Sequence, residues 1–529
     1  MDTSNNSLWN QFHEKLKLTG NLQLCAAVCK SVKTHEDRII FMMKQWKELN
    51  YRPVLQQLSK NAAQSESFRE EGNKLYVVDK LTSEKCLEAF KLYSKSLAFA
   101  PLGSRQQAIA HANRSAVLCR MKKYVECLKD IERAFGLDYP DALRSKLYLR
   151  KIECLVALGT DSPKDENLYS FKPSLPVIQN PNPEVPCVSD ALAIKYNKGC
   201  GRHVVATRNI EPGEVLVVEK PYAMLLSPNN IHTHCHHCLQ VCWATIPCNS
   251  CTYAMYCSEE CKNADWKASH DIECPIFAQL LMLHFSKLDL MTLRLTILAI
   301  RRSGGIDKLK KLMKEVDEHE DKRTKGFSKD GVYHSDEYRS IYSLVTNTEK
   351  RDGFNLLRRA FDASTIMYLV SLCPDQSLIP KRDEDAFLFV GALILRHQEM
   401  VPTNGHSVCV KCFTKMSSQE RGMTMLAFLS LINHACDNNI MRGNAIILKI
   451  LDNYGPHYAL TPKTARQTEL LSQYHFFCGC VPCREDWPLY SDIKSYKVSV
   501  TCINKSLKAT KFQPCETMPT FADLSDKFS

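Results

Sequence analysis

Cys235-x2-Cys238, Cys248-x2-Cys251, Cys257-x3-Cys261 and His270-x3-Cys274 place four pairs of metal-ligating side chains in one short stretch. A two-residue gap suits a tight knuckle, and a three-residue gap puts both donors on one face of a helical turn. The stretch therefore carries ligands for two closed tetrahedral zinc sites. Closed sites leave no position for a substrate, so this metal is structural, stabilising a segment too small to fold unaided. Cys242 falls outside the pairs and is expected to be a core thiol. A second cluster, Cys478, Cys480 and Cys483 in YHFFCGCVPC, offers three thiolates at C-x-C-x-x-C spacing, one short of a tetrahedron. Cys409 and Cys412 in CVKC have no companion pair nearby and are not expected to hold a metal.

These donors belong to a chain of 529 residues with 44% hydrophobic content, enough for about three or four domains. No run of eighteen apolar residues occurs, and the first residues lack the basic-then-apolar order of a signal peptide. The expectation is a soluble protein of cytoplasm and nucleus without membrane contact, where a reducing milieu reserves 25 cysteines for metal or core rather than disulfides. The net charge of +11 favours acidic partners, but the charges are scattered, which disfavours direct DNA binding.

The elements that must position the donors follow from periodicity. Residues 1–60 alternate apolar and charged positions at helical spacing, clearest in RIIFMMKQWKELN, and predict a helical region. Residues 61–160 predict helix-turn-helix units whose apolar faces stack, and they resemble about three tetratricopeptide repeats. Residues 161–186, rich in Pro and Asn, predict a linker. The β-branched runs of GRHVVATRNIEPGEVLVVEKPYAMLL, broken by EPG, predict strand, turn, strand, and strand-like sequence resumes at MLAFLSLINHA and NAIILKI. Between them lie long helical patterns and a charged stretch, KKLMKEVDEHEDKRTKGFSKDG, expected to be a solvated loop or frayed helix. A β domain is thus expected to be split by two insertions.

The cysteine and histidine order of residues 235–274 resembles the MYND finger. That likeness implies interleaved pairing: Cys235, Cys238, Cys257 and Cys261 on one zinc, Cys248, Cys251, His270 and Cys274 on the other. SLINHACDNNI, followed by DNYG, resembles the core motif of SET-domain lysine methyltransferases, and KGCGRHVVATRNIEPGEVL resembles their cofactor-contacting hairpin. In the branch that also carries a MYND finger, the cysteine of that motif completes the C-x-C-x-x-C zinc, which makes Cys436 the implied fourth ligand and three Zn2+ the implied total. The whole order resembles the SET and MYND domain-containing proteins, in particular their fourth, repeat-bearing subfamily.

The resemblance implies a multidomain α+β fold: helical region 1–60, repeats 61–160, linker 161–186, SET N-terminal part 187–234, finger 235–274, helical insert 275–400, SET core 401–477, post-SET zinc segment 478–484 and tail 485–529. It implies methyl transfer from S-adenosylmethionine to a protein lysine, with Tyr454 catalytic and Tyr474 and Phe476 walling the substrate channel. Cofactor contacts would come from Lys198, Gly199, Cys200, Gly201, Asn404, Asn433 and His434. Arg69, Asn73, Asn113, Lys146 and Arg150 match the carboxylate clamp of chaperone-binding repeats, implying the acidic C-terminal tail of a heat-shock chaperone as partner. The finger resembles modules that bind proline-rich peptides, implying a corepressor or histone deacetylase. One departure bears on activity: NNIMRGNAIILKILDNYG lacks about a strand and a turn that the family carries before the catalytic tyrosine. The alternative is accordingly a scaffold with an impaired catalytic core.

Overall fold

The computed structural model describes residues 8–54, 59–77, 82–160, 176–211, 213–373, 378–412, 417–436 and 456–489. It divides into two units, one comprising Met1–Asn433 with Ile440–Asp452 and the other His434–Asn439 with Asn453–Ser529. The fold is mixed α/β, helical at the N-terminus, with four small antiparallel sheets among the described residues.

In the first unit, α1 (Leu8–Leu18), α2 (Leu22–Ser31) and α3 (His35–Glu48) lead into α4 (Ala62–Tyr76), α5 (Ser83–Phe99), α6 (Arg105–Arg120), α7 (Tyr124–Phe135) and α8 (Arg144–Thr160). Their starts follow from local chemistry. Asn61, Thr82 and Ser104 each accept a hydrogen bond from the backbone N–H three residues on, which satisfies a donor that the first helical turn leaves unpaired. Pro101, just past α5, blocks its continuation. Gly72 lets α4 close on α5: a Cβ there would stand 2.7 Å from the Tyr93 ring.

The strands come next: β1 (Pro181–Asn182) on β2 (Val185–Ser189), then the hairpin β3 (Leu192–Asn197) on β4 (Gly201–Ala206), in register from Leu192 opposite Ala206 to Asn197 opposite Gly201. The expected linker therefore already holds a strand. β5 (Ala223–Leu226) pairs far along the chain, and β6 (Ile246–Pro247) pairs with β7 (Met255–Tyr256) inside the cysteine-rich stretch. Short helices α9 (Glu259–Asp265), α10 (Asp271–Glu273) and α11 (Phe277–Met282) follow, then α12 (Lys287–Arg302), α13 (Ile306–Asp317), α14 (Tyr338–Tyr342), α15 (Gly353–Ser371) and α16 (Glu384–Asn404). The first part of the charged stretch expected to be loop or frayed helix lies in α13, which buries Leu309 and Val316. β8 (Gly405–Cys412) and β9 (Ser417–Met425) then complete a three-stranded sheet in the order β5-β9-β8.

Two expected strands shorten. Of GEVLVVEK, only Val217 bridges to Val188. MLAFLSLINHA leaves its strand at Met425 because the N–H groups of Phe428 and Leu429 donate to the buried Glu219 carboxylate, at 2.9 and 3.0 Å, instead of to a ladder. NAIILKI lies outside the described residues.

The N-terminal helices do not form a core of their own. Phe12 stacks on Phe361 of α15 at 4.8 Å, and Trp46 and Tyr51 close round the same ring. One hydrophobic core therefore runs from these helices through α15 and α16 to the sheets and the cysteine-rich segment.

In the second unit, α17 (Lys463–Tyr474) and α18 (Val481–Arg484) enclose a small core of Cys436, Leu470, Cys478 and Cys483.

Candidate functional site

Two turns and a short helix bring the finger's donors together. Ser258 caps α9 by accepting from the Cys261 N–H, fixing the turn that carries Cys257 and Cys261. Cys238 and Cys257 sulfurs lie 3.8 Å apart, and Cys257 and Cys261 3.5 Å. In the other set, Cys248 and Cys274 are 3.7 Å apart and Cys251 stands 3.5 Å from His270 Nε2. The donors gather as Cys235, Cys238, Cys257, Cys261 and as Cys248, Cys251, His270, Cys274, all within 4.8 Å inside each set. Four sulfurs about 2.3 Å from one ion form a tetrahedron with edges of about 3.8 Å, so both sets fit zinc. Cys242 stands half-buried outside both.

A layer that the sequence reading missed braces these ligands. Burial opposes ionisation of Asp265, but the adjoining His236, at 2.8 Å, and Arg294 hold its carboxyl well below the usual range. Asp265 also accepts from Tyr256 at 2.9 Å, and Glu273 forms a two-pronged pair with Arg294 at 2.6 and 2.8 Å. A second network joins the finger to helices α6 and α7. The fully buried Arg114 donates to Asp130 at 2.7 and 2.8 Å and to the hydroxyl and carbonyl of Thr245 at 2.9 and 2.7 Å. The only sequence signal was a charge on the apolar face of a helix.

In the second unit Cys436, Cys478, Cys480 and Cys483 offer sulfurs within 4.8 Å of one another, with Cys436 3.5 Å from Cys483. Gln467 grips Cys478 at both ends, accepting from its N–H at 2.9 Å and donating to its carbonyl at 2.7 Å. The fully buried Arg466 guanidinium lies 3.7 Å from Cys483 Sγ. A Zn2+ with four thiolates carries a net charge of −2, which this cation offsets. Tyr474 and Phe476 stand half-buried beside this cluster, and His434 lies 6.1 Å from the Phe476 ring. Tyr454 lies outside the described residues.

The β3–β4 turn exposes Lys198, Gly199 and Cys200. Asn197 Oδ1 fixes its shape by accepting from the N–H groups of Gly199 and Cys200, both at 2.9 Å, and Gly201 takes the positive φ, +71°, that the turn requires. Asn433 is exposed. Asn404 is buried at the end of α16, where its amide nitrogen donates to the Val345 and Met400 carbonyls at 2.9 and 2.8 Å. Both amide hydrogens are thereby engaged.

Among the N-terminal helices, Asn73 Oδ1 accepts from Tyr93 at 2.8 Å and from Asn113 at 3.0 Å, which joins α4, α5 and α6. Burial pushes the Tyr93 phenol up, against the lowering charges of Arg69 and Arg150 nearby. Two of the five expected clamp positions, Asn73 and Asn113, therefore meet at one amide oxygen that also holds the Tyr93 hydroxyl. Arg69 pairs with Glu66 on its own helix, Arg150 donates to the Ala112 carbonyl and Ser115 hydroxyl at 2.9 and 2.8 Å, and Lys146 is exposed.

Residues 235–274 match the MYND finger family, a zinc-binding module. The chain is also 28% identical to mouse (Mus musculus) protein-lysine N-methyltransferase SMYD4 and 26% identical to the human (Homo sapiens) protein of that name, each alignment covering 79% of this chain. The finger match and these likenesses together support the SET and MYND domain-containing family. It spans 66% of the length of those two relatives, just short of two thirds. A more distant SET and MYND relative, Arabidopsis thaliana histone-lysine N-methyltransferase ASHR1, is 23% identical over 54% of this chain and 53% of its own length.

Proposed function

We propose that this chain is a protein-lysine N-methyltransferase that takes its methyl group from S-adenosylmethionine and delivers it to a histone or non-histone lysine. The reading rests on one observation: likeness to relatives named as protein-lysine N-methyltransferases, across 79% of the chain. The exposed β3–β4 turn is consistent with it, since a ligand can reach the backbone at Lys198, Gly199, Cys200 and Gly201. Asn433 and His434 would add contacts, while Asn404, its amide nitrogen engaged, would support the site from behind. Bound S-adenosylmethionine supplies an electrophilic methyl group on a sulfonium. The chain's task is the amine. A lysine has an ordinary pKa of about 10.4, and a dry aromatic channel formed by Tyr454, Tyr474 and Phe476 would favour its neutral, nucleophilic form while orienting it.

In this reading residues 187–234 and 401–477 are the two parts of a SET domain, 275–400 its insert, and 478–484 the post-SET segment, with three Zn2+ in all. The repeats, 61–160, would dock the acidic tail of a heat-shock chaperone through Arg69, Asn73, Asn113, Lys146 and Arg150. The finger would take a proline-rich corepressor or deacetylase, and the protein would work in cytoplasm and nucleus. A second reading has a specific ground: the sequence between Cys436 and Tyr454 is short by about a strand and a turn relative to the family. A reacting group displaced by about 1 Å can lose a hundredfold in rate, which would leave a docking scaffold.

Calorimetry of S-adenosylmethionine binding to the zinc-loaded chain separates the two. Binding, with methyl transfer to protein lysines that Tyr454→Phe abolishes, is the expected result. Binding that appears only after the missing strand and turn are inserted would overturn the enzyme reading and leave the scaffold.

A further inference from the structure

Within the helical repeats stands a thiol group that neither zinc chemistry nor methyl transfer uses. Cys119 of α6, Cys127 of α7 and Cys154 of α8 come from three different helices, yet their sulfurs all lie within 4.8 Å of one another. Cys119 and Cys154 are 3.8 Å apart, the same separation as ligands of the finger. Cys127 and Cys154 are fully buried and Cys119 is 8% exposed. No fourth His, Cys, Asp or Glu atom joins the group among the described residues, although the exposed Glu153 bears on Cys119.

We propose that Cys119, Cys127 and Cys154 form a trigonal site for a soft monovalent cation, Cu(I). Three sulfurs about 2.3 Å from a central ion stand about 4.0 Å apart, close to the spacing present. Zinc in a protein completes four positions, whereas thiolates select Cu(I), which is content with three. Uptake forms three copper–sulfur bonds and releases three thiol protons to solvent with no change of oxidation state. The resulting net charge of −2 is linked to a cation only through Ser115. The Cys127 thiol donates to the Ser115 carbonyl at 3.1 Å, and the Arg150 guanidinium donates to the Ser115 hydroxyl at 2.8 Å.

The position gives the ion something to hold. Leu147 and Cys154 are the buried side chains of α8 among those described, so beyond the polar contacts of Arg150 and Lys151 little apolar burial attaches this helix. An ion on Cys154 would staple α8, and with it Lys146 and Arg150, to the α6–α7 hairpin.

The test titrates the zinc-replete full chain with Cu(I), supplied as its acetonitrile complex and competed with bicinchoninate. The expected result is one Cu(I) per chain with zinc content unchanged and three sulfur neighbours in the copper absorption spectrum. Cys127→Ala should weaken binding at least tenfold, and the Cys119→Ala, Cys154→Ala pair should abolish it. Cys86→Ala, a buried repeat cysteine outside the group, should bind as the native chain does, and the sulfur count in the native chain stands even where a variant fails to fold. Equal copper uptake by the double variant, copper entering only as zinc leaves, or a zinc ion held by these thiols would each overturn the proposal.

Discussion

A cluster of four thiolates is only as good as the groups that hold its ligands in place, and in the second unit that work falls on Gln467. Its carboxamide binds both the N–H and the carbonyl of Cys478, so the ligand's backbone cannot rotate without breaking two hydrogen bonds. Outer groups of this kind are typically worth about 10–100-fold in metal affinity. Gln467→Ala should therefore raise the zinc dissociation constant of this site by about that factor, read by competition with a chromophoric chelator, while the finger's zinc is retained. Gln467→Glu should recover part of the loss, because a carboxylate still accepts from the Cys478 N–H. An unchanged zinc affinity in Gln467→Ala would show that α17 positions the ligand by packing alone. The sequence held three of the four cysteines in plain view, because a metal demands donors at short fixed spacings, whereas Cys436, 42 residues before Cys478, came only from the family resemblance. It did not announce Gln467 or Arg466, since a polar residue on a helix has the same appearance whether it faces water or a ligand.

At the scale of elements, the same contrast separates what was readable from what was not. Helices α4 to α8 were legible because caps, Pro101 and apolar periodicity are local signals. The docking of α1 to α3 on α15 and α16 was not, because an aromatic contact such as Phe12 on Phe361 joins residues far apart in sequence and leaves no local trace. Glycine marks the closest approach of these elements. A Cβ on Gly353 would collide with the Ala26 carbonyl, and one on Gly391 would stand 3.2 Å from Ile39 Cγ2. Gly353→Ala must push α2 away from α15, and overpacking of this sort costs about 1–3 kcal/mol. Thermal denaturation should show a lower Tm. Gly159→Ala is the matched control: it meets nothing within 4 Å and removes a helix-disfavouring residue, so its Tm should be unchanged or higher. Equal Tm values for the two variants would mean that the N-terminal helices are not seated on α15 as described.

For the first unit as a whole, buried acids set how stability responds to pH, and they pull in opposite directions. Asp130 is wholly buried, which disfavours its charge, yet Arg114 and His111 hold its carboxyl below its ordinary value. Its contribution is present above the unfolded value of 3.8 and is lost only as pH falls through the folded one. Glu219 is the reverse case. Burial raises it from 4.5 to about 7 despite the N–H groups of Phe428 and Leu429 that favour its charge. A group that binds its proton more tightly folded than unfolded contributes its full stability below about pH 4.5 and loses it as pH rises toward about 7. The loss across that window is on the order of 3 kcal/mol. Glu219 ties the segment before Asn433 to the strand half of the fold, so the whole core that spans β5, β9 and the helices registers the change. Denaturant unfolding of the zinc-loaded chain at pH 5, 6 and 7, compared with Glu219→Gln, isolates this group because zinc-ligand protonation is common to both proteins. The variant should be less stable at every pH, since one N–H then faces an amide donor, but its stability should fall less steeply with rising pH by up to one proton. Parallel pH curves would mean that the Glu219 carboxyl keeps the same charge folded and unfolded, and that another group, such as Asp362, also a buried acid raised to about 7, governs the neutral-pH response of the core.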